Sequence, residues 1–154
     1  MTGGCIAAGR SANNMTRIET LEPEFAEKIK SLIKATEMVT QLKWIITSGR
    51  RTMAEQLKLY EQGRTAPGKV VTNARPGSSA HNFGLAADLA PMRRDGRIWW
   101  EAPKSVWQKM ADIAREMGMV SGFYFKTIYD APHVEDAAWK TVQAKWKVGE
   151  IHVA

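Results

Sequence analysis

Helical and strand-like patterns alternate along this chain in an order that few folds accept. "LEPEFAEKIKSLIKATEMV" sets Pro23 at a first helical turn and then Phe25, Ile29, Leu32 and Ile33 at helical spacing, which predicts a core-facing helix. "KWIITSG", residues 43–49, is a short apolar and β-branched run ending at Gly49, and it reads as a buried strand. In "TMAEQLKLYEQG", Thr52 is followed three residues later by Glu55, a capping-box signature, and Gly63 stands where a helix would stop. Residues 64–80, rich in Gly, Pro, Ser and Thr around "KVVT", predict a loop carrying one short strand. "GLAADLAP" is a small-residue strand stopped by Pro91, and the Asp95-Gly96 pair suits a tight turn before Trp99 and Trp100.

The second half continues the alternation. "KSVWQKMADIAREMG" repeats Val106, Met110, Ile113 and Met117 on one helical face and ends at Gly118. "GFYFKTIYDAPHVE", aromatic and β-rich with Pro132 inside, predicts two short strands around a loop that presents Asp130 and His133. The tail places Trp139, Val142 and Trp146 on one helical face behind an Asp136 cap. This order implies an α+β single domain with a mainly antiparallel central sheet flanked by helices.

Length and composition narrow the chemistry. A chain of 154 residues suffices for one core but not for a catalytic domain plus a large binding module. Residues 1–14, "MTGGCIAAGRSANN", read as a flexible leader, with residues 15–154 as the working domain and Met15 as a candidate start. No apolar stretch approaches the roughly 20 residues of a membrane span, and no hydrophobic export segment stands at the start. Cys5 is the only cysteine, so an internal disulfide and a thiolate zinc cluster are both excluded. No apolar run precedes it, as lipid attachment would need. The net charge of +6 predicts attraction to polyanions: nucleic acid, anionic lipid and acidic cell wall all qualify. The basic residues form no dense block and no known nucleic-acid module.

Any metal must therefore be held by His and carboxylates. Hydrolytic zinc sites commonly take three such ligands and leave a fourth position for water. The chain has three histidines. His81 and Asp88 flank the turn-capable Gly84, so both side chains can be aimed at one point, and His133 would arrive from a separate strand. Two histidines and one aspartate carry a single formal ligand charge, which leaves a metal electrophilic. Asp130, three residues before His133 across a proline-containing turn, is a candidate base, while Glu135, two residues after, could share the His133 strand face and orient it. Spacing alone leaves a plain hydrogen-bonded His–Asp pair as the rival reading, since no HExxH is present.

"GSSAHNFGLAAD", with Ser79, His81, Gly84, Ala86 and Asp88, resembles the SxHxxGxAxD signature of the VanY-like zinc peptidases that cleave bacterial peptidoglycan peptides. That family contains D-alanyl-D-alanine carboxypeptidases and dipeptidases, and L-alanyl-D-glutamate endopeptidases used as phage endolysins. The resemblance extends upstream to "TSGRRTMAEQLKLYEQGR" and downstream to "DAPHVE", covering about residues 25–145 in three ordered motifs. It implies the hedgehog/D-Ala-D-Ala-peptidase type of fold, Zn2+ as cofactor, and His81, Asp88 and His133 as its ligands. It further implies Asp130 as the general base that activates water and Arg51 as the holder of substrate or oxyanion. Ser79 would border the substrate cleft, and Glu135 would stand behind His133.

Two departures matter. Arg50 stands where the family usually has an aromatic, and the base is an aspartate where the dipeptidase and carboxypeptidase branches generally carry Glu. The aspartate resembles the L-alanyl-D-glutamate endolysin branch. The expectation is therefore a zinc endopeptidase cutting between L-alanine and D-glutamate, monomeric, partnered by bacterial peptidoglycan and not by nucleic acid. Without a signal of its own, it would wait in the host cytoplasm and act on the wall after release. A D-alanyl-D-alanine carboxypeptidase and a non-catalytic metal-containing wall-binding domain are the rivals, with salt-sensitive nucleic-acid binding a third. Elsewhere His152 reads as solvent-exposed, one of Trp99 and Trp100 as packed on the core, and Lys140, Lys145 and Lys147 as a wet helix face. Arg93, Arg94 and Arg97 suit either a solvated loop or contact with anionic wall.

Overall fold

Pro23 starts the helix Pro23–Thr40 because its missing N–H and preset φ suit the first turn. A computed structural model describes residues 17–154. The proposed leader, with Cys5, and the candidate start Met15 lie outside the described residues. Helix α1 spans Pro23–Thr40 and buries Phe25, Ala26, Ile29, Leu32 and Thr36, with Ile33 half-buried beside them. Strand β1 (Trp44–Ser48) follows, then α2 (Met53–Glu61), whose Thr52 and Glu55 form the reciprocal capping box. Strand β2 (Ala86–Pro91), α3 (Lys104–Glu116), β3 (Val120–Ser121), β4 (His133–Glu135) and α4 (Trp139–Lys147) complete the order.

The four strands lie in the order β1-β2-β4-β3 and every pairing is antiparallel. The α+β reading therefore holds. β2 lies between β1 and β4, and its small side chains explain why it can: Ala86, Ala87, Leu89 and Ala90 are fully buried against both neighbours and the helices. The core joins Phe25, Ile29 and Leu32 of α1 to Ile46 and Leu89 of the sheet and to Trp107 and Met110 of α3. No helix among the described residues is long and apolar enough to cross a membrane.

Four local expectations change. "KVVT" forms no strand: no neighbouring strand offers it a ladder, and Val70 and Val71 stand about half exposed. The buried stripe of α3 is Trp107, Met110, Ala111 and Ala114, while Val106, Ile113 and Met117 stay at its margin. The helix turns Trp107 inward, where it packs edge-on against Trp44 with ring centroids 5.8 Å apart. "GFYF" is a 3₁₀ turn rather than a strand, since the Ser121 hydroxyl accepts the Phe123 N–H and bends the chain. Asp136 is not the N-cap of α4: that position is Ala138, and Asp136 Oδ1 takes the Ala138 N–H from two residues upstream.

Candidate metal centre

Sheet register brings the first two candidate ligands together. Asp88 on β2 lies directly opposite His133 on β4 and, across a bulge, opposite Ser48 on β1. The third arrives from a 3₁₀ turn, Ala80–Phe83, capped by the Ser79 hydroxyl, which accepts the His81 N–H at 3.3 Å. That turn ends at Gly84 in the left-handed region (φ 70°), where a Cβ would also sit 2.6 Å from Arg50 Nη2. The chain then turns directly into β2. His81, Asp88 and His133 thus present ligand atoms that all lie within 4.8 Å of one another.

Each imidazole is held from behind. His81 Nδ1 meets the Gly49 carbonyl at 2.8 Å, and His133 Nε2 meets Glu135 Oε1 at 2.7 Å. In the neutral tautomers that donate through those nitrogens, His81 Nε2 and His133 Nδ1 keep their lone pairs, and they lie 3.3 and 3.4 Å from Asp88 Oδ1. Asp88 Oδ1 is buried without a hydrogen-bond partner; among the described residues the only other such side-chain atom is Thr36 Oγ1, away from this cluster. Between two neutral imidazoles, a buried carboxylate oxygen without a hydrogen-bond partner is costly unless a proton or a metal ion joins them. Two nitrogens and one oxygen suit a three-ligand zinc site with an open fourth position.

The electrostatics agree with that geometry. Burial works to raise the Asp88 carboxyl, but the contacts with His133 and His81 outweigh it and hold it well below the usual carboxylate range. Burial pulls His133 down, yet Asp88 and Glu135 together push it up to about 9. Arg51 stands alongside, with Nη2 3.8 Å from Asp88 Oδ2 and Nη1 donating to Gln56 Oε1 at 3.0 Å. Gln56, fully buried, passes its own Nε2–H to the Ala74 carbonyl. Asn82 bonds Gly77 N and the Arg51 carbonyl, tying the His81 turn to the arginine segment. Arg50 points elsewhere, onto the Thr20 carbonyl and Glu22.

Asp130 is raised first by burial and then by the Asp88 charge, against His133, His81 and Arg51. It lines a cleft of about 610 Å³ with Val71, Asn73, Ser78, Phe125 and Lys126. Ser79 is half-buried beside that wall and serves as the cap of the His81 turn; its neighbour Ser78 is the serine lining the cleft. Glu135 is committed, because its Oε2 also accepts the Trp139 indole N–H at 2.6 Å. Sequence reasoning gave no role to Gln56, Asn82 or Gly122, and buried polar or backbone-crowded positions leave no periodic signal.

Gly122 is crowded by the site loop: a Cβ there would lie 2.2 Å from the Asp130 carbonyl and 3.0 Å from His133 Cβ. Gly122→Ala is expected to cost roughly 1–3 kcal/mol through backbone displacement and to weaken metal uptake with it, checked by thermal unfolding and chelator competition. Unchanged values for both would refute this reading.

The remaining sequence candidates lie apart from the centre. His152 is exposed, Trp99 is half-buried, and Trp100 is exposed and stacks on Trp107. Arg93 pairs with Glu101 and Arg97 with Asp95, while Arg94, Lys140, Lys145 and Lys147 are exposed.

The family model "VanY: D-alanyl-D-alanine carboxypeptidase" matches residues 18–141. The peptidoglycan L-alanyl-D-glutamate endopeptidase CwlK of Bacillus subtilis (strain 168) is 43% identical over 98 residues. That alignment covers 59% of this chain and 59% of the relative, so less than two thirds of CwlK is spanned. The structure of Serratia marcescens L-Ala D-Glu endopeptidase ChiX matches with a TM-score of 0.59 at 20% identity, covering 84% of this chain and 90% of ChiX. The L,D-carboxypeptidase DacB from Streptococcus pneumoniae matches at 0.54 and 25% identity, covering 84% and 77%. A VanB-type D,D-pentapeptidase VanY in complex with Zn(II) matches at 0.55 and 16% identity, covering 80% and 78%. The ChiX and VanY likenesses show the shared fold.

Proposed function

The chain belongs to the VanY family of D-alanyl-D-alanine carboxypeptidases, and from that membership we propose that it is a zinc-dependent peptidoglycan endopeptidase hydrolysing the L-alanyl-D-glutamate bond of stem peptides. The observation that carries the metallopeptidase reading is the convergence of His81, Asp88 and His133 around an unpaired carboxylate oxygen. The choice of bond is supported by the identity with CwlK and by aspartate at position 130. The catalytic unit is assigned to residues 15–154.

His81 Nε2, Asp88 Oδ1 and His133 Nδ1 would hold the ion. Zinc in such a site supplies Lewis-acid polarisation of the scissile carbonyl and a lowered pKa for a coordinated water. Asp130, at the cleft, takes the proton from the attacking water and returns it to the leaving amine. Arg51, held by Gln56 and beside Asp88, offers a permanent charge to the oxyanion of the tetrahedral intermediate. Glu135 serves neither step because both of its oxygens are engaged by His133 and Trp139. It would keep His133 turned toward the ion.

Arg51→Lys is expected to lower kcat/KM by roughly 10²-fold, since an ammonium keeps the charge but loses the forked geometry. Steady-state kinetics with zinc content held equal check this, and a variant with unaltered kinetics would remove Arg51 from the reaction.

Digestion of purified peptidoglycan by the zinc-loaded protein and by His81→Ala, read by mass spectrometry, tests the function. New L-alanine carboxyl and D-glutamate amino ends, absent with His81→Ala, are expected. Freed D-alanine would move the assignment to the carboxypeptidase named in the family description, and wall bound but uncut would replace catalysis with binding. The aspartate at 130 supports the endolysin branch; release from the host cytoplasm before action on the wall is a further part of the proposal, which export of the protein by itself would defeat.

A further inference from the structure

The carboxylate of Glu135 is shared between two donors on opposite sides. Oε1 faces His133 Nε2 at 2.7 Å, and Oε2 accepts the Trp139 indole N–H at 2.6 Å. Trp139 opens α4, is 9% exposed, and stacks on Phe83 with ring centroids 6.3 Å apart and planes 23° apart. Phe83 belongs to the same 3₁₀ turn as His81. A single indole therefore bonds the carboxylate behind His133 and stacks on Phe83 of the turn that carries His81.

We propose that Trp139 is a positioning residue for the metal centre, its N–H locking the Glu135 carboxylate so that His133 presents Nδ1 to the ion. The inference rests on the metallopeptidase reading of the His81, Asp88 and His133 cluster. An indole N–H suits this role because it only donates and never ionises near neutral pH. A carboxylate held by one donor can rotate about its terminal bond; held by two donors on different oxygens, it has one orientation. The imidazole then keeps one tautomer and one ring angle, which is what outer partners of metal ligands provide.

The rest of α4 strengthens the brace. Gln143 Nε2 donates to the Gly77 carbonyl at 2.7 Å, and a Cβ on Gly77 would fall 2.4 Å from the Trp146 ring. Gly77 N is in turn bonded to Asn82, the residue after His81. Gln143 and Trp146 lie beyond residues 18–141, the part matched by the family model.

The test measures zinc affinity of the full chain by chelator competition for wild type, Trp139→Phe, Glu135→Ala and the double variant. Phenylalanine keeps an aromatic ring and removes the N–H. Trp139→Phe is expected to bind zinc roughly 10–100-fold more weakly, and to add little once Glu135 is already alanine. Wild-type affinity in Trp139→Phe overturns the proposal, and so do independent, additive losses, which would mean Trp139 acts by packing alone. A wild-type chain that takes up no stoichiometric zinc removes the metal reading itself, a different failure.

If Trp139→Phe does not fold, the indole resonance of the wild-type chain decides. In ¹⁵N-labelled protein the Trp139 Nε1–H signal should be protected from exchange, shift on zinc addition, and move in Glu135→Gln. A signal indifferent to zinc and to Glu135→Gln overturns the proposal.

Discussion

Asp130→Asn should lower kcat by roughly 10²–10⁴-fold, the range for removal of a general base, while zinc content stays at the wild-type level. The amide keeps the shape of the carboxyl but cannot accept the proton of the attacking water. The proposed mechanism takes Asp130 as base because Asp88 faces both histidines and Glu135 is bonded at both oxygens. Glu135→Ala should behave oppositely, weakening zinc binding first and losing activity only as the metal is lost. Kinetics at matched zinc occupancy, with metal measured by atomic absorption, separate the two. An active Asp130→Ala enzyme at full occupancy would rule out the assignment.

Stripping the metal is expected to abolish hydrolysis, zinc to restore it, and His81→Ala to lose both stoichiometric zinc and activity. The protonation chemistry adds a sharper signature. Asp88 and Glu135, outweighing burial, push His133 up to about 9, so without metal at pH 7 its imidazole is charged, the added proton on Nδ1 facing Asp88. A metal ligand must be neutral, so zinc uptake at pH 7 should expel about one proton from this residue. Titration calorimetry in buffers of different ionisation enthalpy measures that release, and no buffer dependence would contradict it.

The sign for stability follows. His133 is raised above its ordinary 6.5, so its contribution to the chain without zinc is full below that value and fades as pH rises through about 9. Zinc affinity moves the other way, strengthening with pH until the proton is gone. At a hundredfold excess over Kd, zinc adds about 2.7 kcal/mol of stability, readable as a raised Tm that chelator reverses.

Much of this was legible along the chain. Thr52 and Glu55 announce a capping box because both partners lie within one helical turn, and Pro23 announces a helix start for the same local reason. The run from Ser79 to Asp88 discloses a candidate site because its cap, its left-handed glycine and two of its ligands are near neighbours in sequence. "KVVT" misleads because β-propensity needs a partner strand and the tertiary structure supplies none. Helix α3 misleads because several apolar stripes fit one helix, and the position of Trp44 decides that Trp107 turns inward.

The sequence by itself determined the alternation of elements, the donor types and the exclusion of a thiolate zinc cluster, since these depend on residue identity and short-range geometry. Only the tertiary structure decided that Asp88 faces His133 across two strands and that Glu135 stands behind the histidine while Asp130 opens on the cleft. It also decided that an indole on the last helix reaches Glu135. Strand register and helix docking set those relations, and both are fixed by burying apolar faces far apart in sequence, a condition that no local spacing contains.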